Sequence, residues 1–169
     1  MPKVKLMFFF IIPLVTAAVL LETPFKKVDA SPVFRIPFPE GQVWIGQTRM
    51  NHNPQNAVDL NRLYDEGDTV IASAAGKVVK VKNLGNRSYG RYIVIDHGGG
   101  WQTLYGHLSA INVFVGKKVT QGQKIGAVGS TGGSTGAHLH YEQRFNGKAE
   151  RIRWNGYSIF YWGSKTYKS

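Results

Sequence analysis

After residue 30 the apolar residues of this chain fall into short runs separated by turn-forming residues, and none repeats with the period of an amphipathic helix. The runs are Val70 to Ala72, Gly76 to Val81, Tyr92 to Asp96, Gln102 to Leu108, Lys124 to Val128 and Leu139 to Phe145. Twenty glycines in 169 residues leave turns easy to form. The pattern predicts a mainly β fold, a single compact antiparallel sheet domain of barrel or sandwich type. Asp96-His97-Gly98-Gly99-Gly100 reads as a hairpin between two of the strands, with His97 structural. A faint similarity relates Gly67-Asp68-Thr69-Val70 to Gly116-Lys117-Lys118-Val119 and suggests two related β layers. Biotinyl and lipoyl carrier domains have similar spacing, but no lysine here sits in the hairpin they require.

The chain divides into three parts. In residues 1–30, Lys3 and Lys5 precede an apolar stretch from Leu6 to Leu21, and the segment ends Val28-Asp29-Ala30. This reads as a signal peptide cleaved after Ala30, with an uncleaved membrane anchor as the alternative; the apolar stretch falls short of the roughly 20 residues of a comfortable span. Either way the rest of the chain is expected outside the cytoplasm, extracellular, in the cell wall or in the periplasm. Residues 31–42, with three prolines from Ser31 to Pro39, read as an extended arm, and 43–169 as the domain.

Cysteine is absent, which excludes cysteine-nucleophile hydrolases, thiolate zinc sites and disulfides. The formal charge is +11; without residues 1–30 there remain 17 basic and 8 acidic residues, or +9. Such a field favours polyanions, here anionic wall polymers or acidic lipid headgroups. The cations are scattered, and Lys77, Lys80 and Lys82 read as a solvated strand face, so no specific nucleic-acid binding is expected. Membrane contact is expected only if the leader stays attached.

Chemistry concentrates on histidines. In a strand, His138 and His140 project from one face while Leu139 packs on the other, which suits either a zinc site or a pair of ordinary hydrogen-bonded imidazoles. His52 lies in a polar loop, as ligand or solvated residue. Asp59 interrupts the apolar start of a strand, where an acid is costly unless paired, coordinated or used in a turn. By period two, Trp101, Thr103, Tyr105 and His107 share a face, either a solvated surface or the floor of a cleft. Gly132 to Gly136 spells G-x-S-x-G, but a strand with two histidines follows where a nucleophile elbow needs a helix. The same loop lacks the lysine of a phosphate-binding P-loop.

Taken in order, four blocks resemble one family, the lysostaphin-like or LytM-type zinc peptidoglycan endopeptidases. They are His52 with Asp59; Gly67 to Val79; Tyr105-Gly106-His107-Leu108-Ser109; and Gly129-Ser130-Thr131-Gly132-Gly133-Ser134-Thr135-Gly136-Ala137-His138-Leu139-His140. The resemblance runs from about Val43 to Tyr167. It implies one Zn2+ ion held by His52, Asp59 and His140, with His107 and His138 as the catalytic pair, hydrolysing peptide bonds of peptidoglycan cross-bridges or stems through a zinc-activated water. Six residues separate His52 from Asp59 where the common form of the family has three. Glu142, two residues beyond His140, reads as a residue orienting a histidine, or as a general base. The alternative function is a non-catalytic peptidoglycan-binding or envelope-assembly module on the same fold. The aromatic and basic tail from Arg151 to Ser169 reads as packing against the sheet, or as a grip on wall polymer.

Overall fold

The computed structural model describes residues 31–169, so the predicted leader lies outside the described residues. Among them there is no helix. The first half of the domain contains β1 (Val43–Thr48), β2 (Val58–Asn61), β3 (Thr69–Ile71), β4 (Gly76–Asn83), β5 (Arg91–Gly98), β6 (Trp101–Gly106) and β7 (Ala110–Ile111). The second half contains β8 (Lys118–Val119), β9 (Lys124–Ala127), β10 (Leu139–Phe145), β11 (Lys148–Glu150), β12 (Arg153–Trp154), β13 (Tyr157–Ser158) and β14 (Gly163–Lys168). A nine-stranded sheet runs β14-β1-β2-β10-β6-β5-β4-β8, with β11 paired to β10, and a three-stranded sheet runs β3-β9-β7. All pairings are antiparallel.

The expected strands all form. β1 and β14 carry no clear signal in the sequence, because the alternation in β1 is inverted: Gly46 and Thr48 face inward while Val43 and Ile45 are half-exposed. Gly46 is small for a reason. A Cβ there would lie 2.7 Å from the Tyr167 ring, which crosses from β14 over β1. A bulge in β4 between Val78 and Lys80 puts Lys77, Lys80 and Lys82 on the exposed side although they are not evenly spaced.

One face of the large sheet packs on the small sheet. Val58, Leu60, Ile93, Ile95, Tyr105, Leu139 and Tyr141 meet Val70, Ile125 and Val128 there, all fully buried. The arm before β1 contributes to the same core: Phe34, Ile36 and Phe38 are buried, and Phe38 stacks on Trp44 with ring centroids 3.4 Å apart. Backbone bonds from Arg35 N to Ser73 O (2.9 Å) and from Ile71 N to Pro37 O (3.0 Å) stitch the arm down. The core is partly polar. The Tyr105 hydroxyl accepts from Ser73 N and Thr103 Oγ1 at 2.9 Å each, and Tyr141 donates to Ser73 Oγ at 2.8 Å. Burial pushes the Tyr105 phenol up to about 12, so both rings stay neutral donors and acceptors that fix the sheet behind the histidines.

Candidate metal and catalytic site

The register of β2, β10 and β6 builds the site on the opposite face of the large sheet. His140 lies directly across from Asp59 on one side and Gly106 on the other. Because Tyr141 and Leu139 point into the core, His140 and Glu142 point away from it, toward Asp59 and the loops that cover this face. His52 arrives from the β1–β2 loop, which turns back through bonds from His52 N to Arg49 O (3.1 Å) and from Ala57 N to Pro54 O (3.0 Å). Those turns absorb the longer spacing between His52 and Asp59.

His107 departs from the face expected of it. Thr103 and Tyr105 are buried in the core, but His107 follows the end of β6 with φ of 61° in the left-handed region, which breaks the alternation. Its ring turns to the histidine side, 4.7 Å from the His138 ring and 5.7 Å from that of His140. The turn is held by His107 N donating to Tyr89 O at 2.9 Å.

Hydrogen-bond partners decide which ring nitrogen faces the site. A carbonyl only accepts, so Nδ1 carries the proton in His52 (Ala57 O, 3.3 Å), His107 (Thr131 O, 2.7 Å) and His138 (Gly136 O, 2.9 Å). Each therefore presents the lone pair of Nε2. His140 is reversed: Nε2–H donates to Glu142 Oε1 at 2.9 Å, leaving the Nδ1 lone pair forward. Asp59 Oδ1 then lies 3.2 Å from His52 Nε2, 3.2 Å from His140 Nδ1 and 3.6 Å from His138 Nε2. In these neutral tautomers the acceptors converge on a common point with no hydrogen among them, an arrangement that a cation satisfies.

The donor set fits zinc. Tetrahedral coordination at about 2.0–2.1 Å puts ligand atoms roughly 3.3 Å apart. Asp59 Oδ1 lies 3.2 Å from both His52 Nε2 and His140 Nδ1, and one atom from each of the three residues falls within 4.8 Å of the others.

The charges behind these atoms support that role. Without a cation a proton fills the same point: burial alone would raise the Asp59 carboxyl, but with protonated imidazoles beside it the hydrogen bonds from His140 and His52, and the charges of His52 and His138, hold it well below the usual carboxylate range. Glu142 is fully buried; burial pushes it up, and His140 and Arg144, whose Nε donates at 2.6 Å, pull it down further than that. His140, in turn, is lowered by burial but raised more by Asp59 and Glu142. Burial, with like-charge pressure from His138 and His140, pushes His107 down to about 4 against the pull of the Thr131 carbonyl. His107 is thus a neutral base at physiological pH.

All five predicted site residues line one groove of about 390 Å3, which also includes Arg49, Ser88, Tyr89 and Ser134. His97 stands apart, bonded to Ala75 O and Thr103 Oγ1 at 2.8 Å each. Three contributors were not foreseen. Arg49, half-exposed, donates to Asp59 Oδ2 and so leaves Oδ1 as the oxygen facing the imidazoles. Arg144 anchors Glu142, and its Nη2 reaches the Tyr89 hydroxyl at 3.3 Å. The period-two series His140, Glu142, Arg144 carried a signal for Arg144. Arg49 and Tyr89 sit in loops whose path only the fold defines.

An antiparallel sheet bearing a His-Asp-His cluster with two further imidazoles beside it is the arrangement of a metallopeptidase. The chain belongs to peptidase family M23, whose model matches residues 53–151. It is 46% identical over 95 residues to the peptidoglycan DD-endopeptidase ShyA of Vibrio cholerae, covering 56% of this chain and 21% of that protein. It is 48% identical over 83 residues to the DD-carboxypeptidase/endopeptidase Mpg of Neisseria meningitidis, covering 49% and 19%. Among solved structures, a zinc containing peptidase from Vibrio cholerae superposes with a TM-score of 0.58 at 29% identity, over 71% of this chain and 39% of that one. The chain thus spans about a fifth of the length of these curated relatives.

Proposed function

We propose that this protein is a zinc metalloendopeptidase that hydrolyses peptide bonds of bacterial peptidoglycan, in cross-bridges or stem peptides, outside the cytoplasm. The observation that carries the reading is the convergence of Asp59 Oδ1 with the lone pairs of His52, His138 and His140, beside a neutral His107. The peptidoglycan-hydrolase names of the relatives support the substrate class. In this reading residues 1–30 direct export and 43–169 form the peptidase domain.

His52, Asp59 and His140 would hold the ion, which would supply Lewis acidity and a lowered pKa for water. Glu142 and Arg144 lock the His140 ring behind it, and Arg49 fixes the second oxygen of Asp59. Peptide hydrolysis moves one proton from the attacking water to the departing amine. The Nε2 atoms of His107 and His138 are the free bases beside the cluster; one takes that proton, and the resulting imidazolium returns it to the leaving nitrogen. Fixing Nδ1–H on backbone carbonyls keeps both rings aimed without occupying Nε2.

Substitution separates the roles. His140→Ala is expected to lose zinc, measured by metal analysis after dialysis, whereas His107→Ala and His138→Ala retain zinc and lose chelator-sensitive release of peptides from sacculi. Wild-type rates in the His138 variant would overturn the assignment. Absence of any chelator-sensitive cleavage by the wild type would favour a binding module.

A further inference from the structure

A second cavity, of about 500 Å3, lies on the side of the molecule away from the histidines. Its wall includes Arg35, Trp154, Asn155, Tyr157, Tyr167 and Lys168. The side is set by Trp154, whose ring lies 6.2 Å from Tyr141, the residue that points opposite to His140 and Glu142 on β10. Gln121 excepted, every residue lining it lies outside the 53–151 segment matched by the family, in the arm, the β12–β13 hairpin, β14 and Ser169 after it.

The cavity is held rigidly. Asn155 and Gly156, with φ of 50° and 83°, form the two-residue turn of the hairpin, and Asn155 N donates to Phe34 O at 2.7 Å. Trp154 packs edge-on against Tyr167 with centroids 5.0 Å apart. That support leaves Tyr157, 81% exposed, as an aromatic ring presented to solvent at the cavity mouth. Arg35, Glu40 and Lys168 form no ion pair among the described residues, although all three line the cavity.

We propose that this cavity binds a glycan strand of N-acetylated sugars. The volume lies in the range of small-ligand sites, about 300–1,000 Å3. Arg35 and Lys168 share the wall with Glu40, so it presents charges of both signs and no run of like charge to match a polyanion or a polycation. A neutral polyhydroxylated ligand uses them all. The C–H faces of a sugar ring stack on Tyr157, while hydroxyl and acetamido groups find donors in Arg35 and Lys168, an acceptor in Glu40, and both in Asn155 and Gln121. The identity of the glycan rests on the proposed function: it is the polymer that carries the peptides to be cleaved. Binding on the far side leaves the histidine groove open to those peptides.

The test titrates the zinc-loaded full chain with a peptide-free tetramer of β-1,4-linked N-acetylglucosamine, followed by calorimetry and Trp fluorescence. Saturable binding is expected, weakened about three- to tenfold by Tyr157→Ala, retained by Tyr157→Phe, and unchanged by His107→Ala. Hydrolysis of a short soluble peptide should not change in Tyr157→Ala, whose exposed ring supports no packing. No saturable binding, equal binding by Tyr157→Ala, or binding of a polyglycerol phosphate in place of the sugar overturns the proposal. The titration needs no turnover, so its failure leaves the peptidase reading standing, and failed peptide cleavage leaves the titration interpretable.

Discussion

Replacing Glu142 by glutamine tests how the site is held. The carboxylate is fully buried, accepting His140 Nε2–H at 2.9 Å and Arg144 Nε–H at 2.6 Å on different oxygens. Glu142→Gln keeps the shape but turns one oxygen into an NH2 group, so one of the two partners meets a donor with a donor. If His140 keeps the oxygen, Arg144 loses its partner. Its side chain is 21% exposed, so water restores part of the loss, and the fold is weakened by about 1–3 kcal/mol. If Arg144 keeps the oxygen, His140 must shift its proton to Nδ1, the nitrogen facing Asp59, and the lone pair offered to the metal disappears. In both cases the negative charge behind the imidazole is gone. The expected result is zinc affinity about 10–100-fold weaker, equal to roughly 1.4–2.8 kcal/mol. Competition against a chromophoric chelator at neutral pH reads the affinity, and thermal melting of the metal-free protein reads the fold. An affinity within about twofold of wild type would refute the reasoning, and a lowered melting temperature alone would make Glu142 an ion-pair partner without influence on the metal.

Three further outcomes follow from the packing. Phe38→Ala removes a buried ring stacked on Trp44 and is expected to cost about 3–5 kcal/mol in denaturant unfolding. Deleting residues 31–40 should accordingly abolish folding, and a truncated protein with raised activity would show that the arm is an inhibitory cover instead. Burial pushes the His97 imidazole below its usual range, against the Ala75 carbonyl and the Asp96 charge. The unfolded chain therefore binds a proton at His97 near pH 6.5 before the folded chain does, so its contribution to stability grows as pH rises toward that value and is level above it. Melting temperatures measured from about pH 5 to 7 should climb less steeply for His97→Asn than for wild type; parallel curves would contradict the burial argument.

Much of this was legible in the sequence. Short apolar runs with a period of two made the strands visible, because each strand of a one-sided sheet must alternate to bury one face. β1 and β14 escaped for the same reason, since Gly46 faces inward to admit Tyr167 and Ile45 faces out. At the site, His138 and His140 could be placed together because they share one strand, and Glu142 and Arg144 follow at the same spacing. His107 could not be oriented, because a positive φ that reverses a side chain leaves no mark on hydrophobic periodicity.

The sequence by itself determined the β class, the absence of thiol chemistry and the inventory of imidazoles and carboxylates, all properties of composition and local period. The tertiary structure alone decided which atoms meet. Asp59 and His140 are 81 residues apart and become neighbours only through the β2–β10 register. The ring nitrogen that each histidine offers depends on carbonyls and a carboxylate brought up by separate segments, and Arg49 reaches Asp59 only because the β1–β2 loop folds back. Contacts of this kind arise from chain crossings, and no local pattern encodes a crossing.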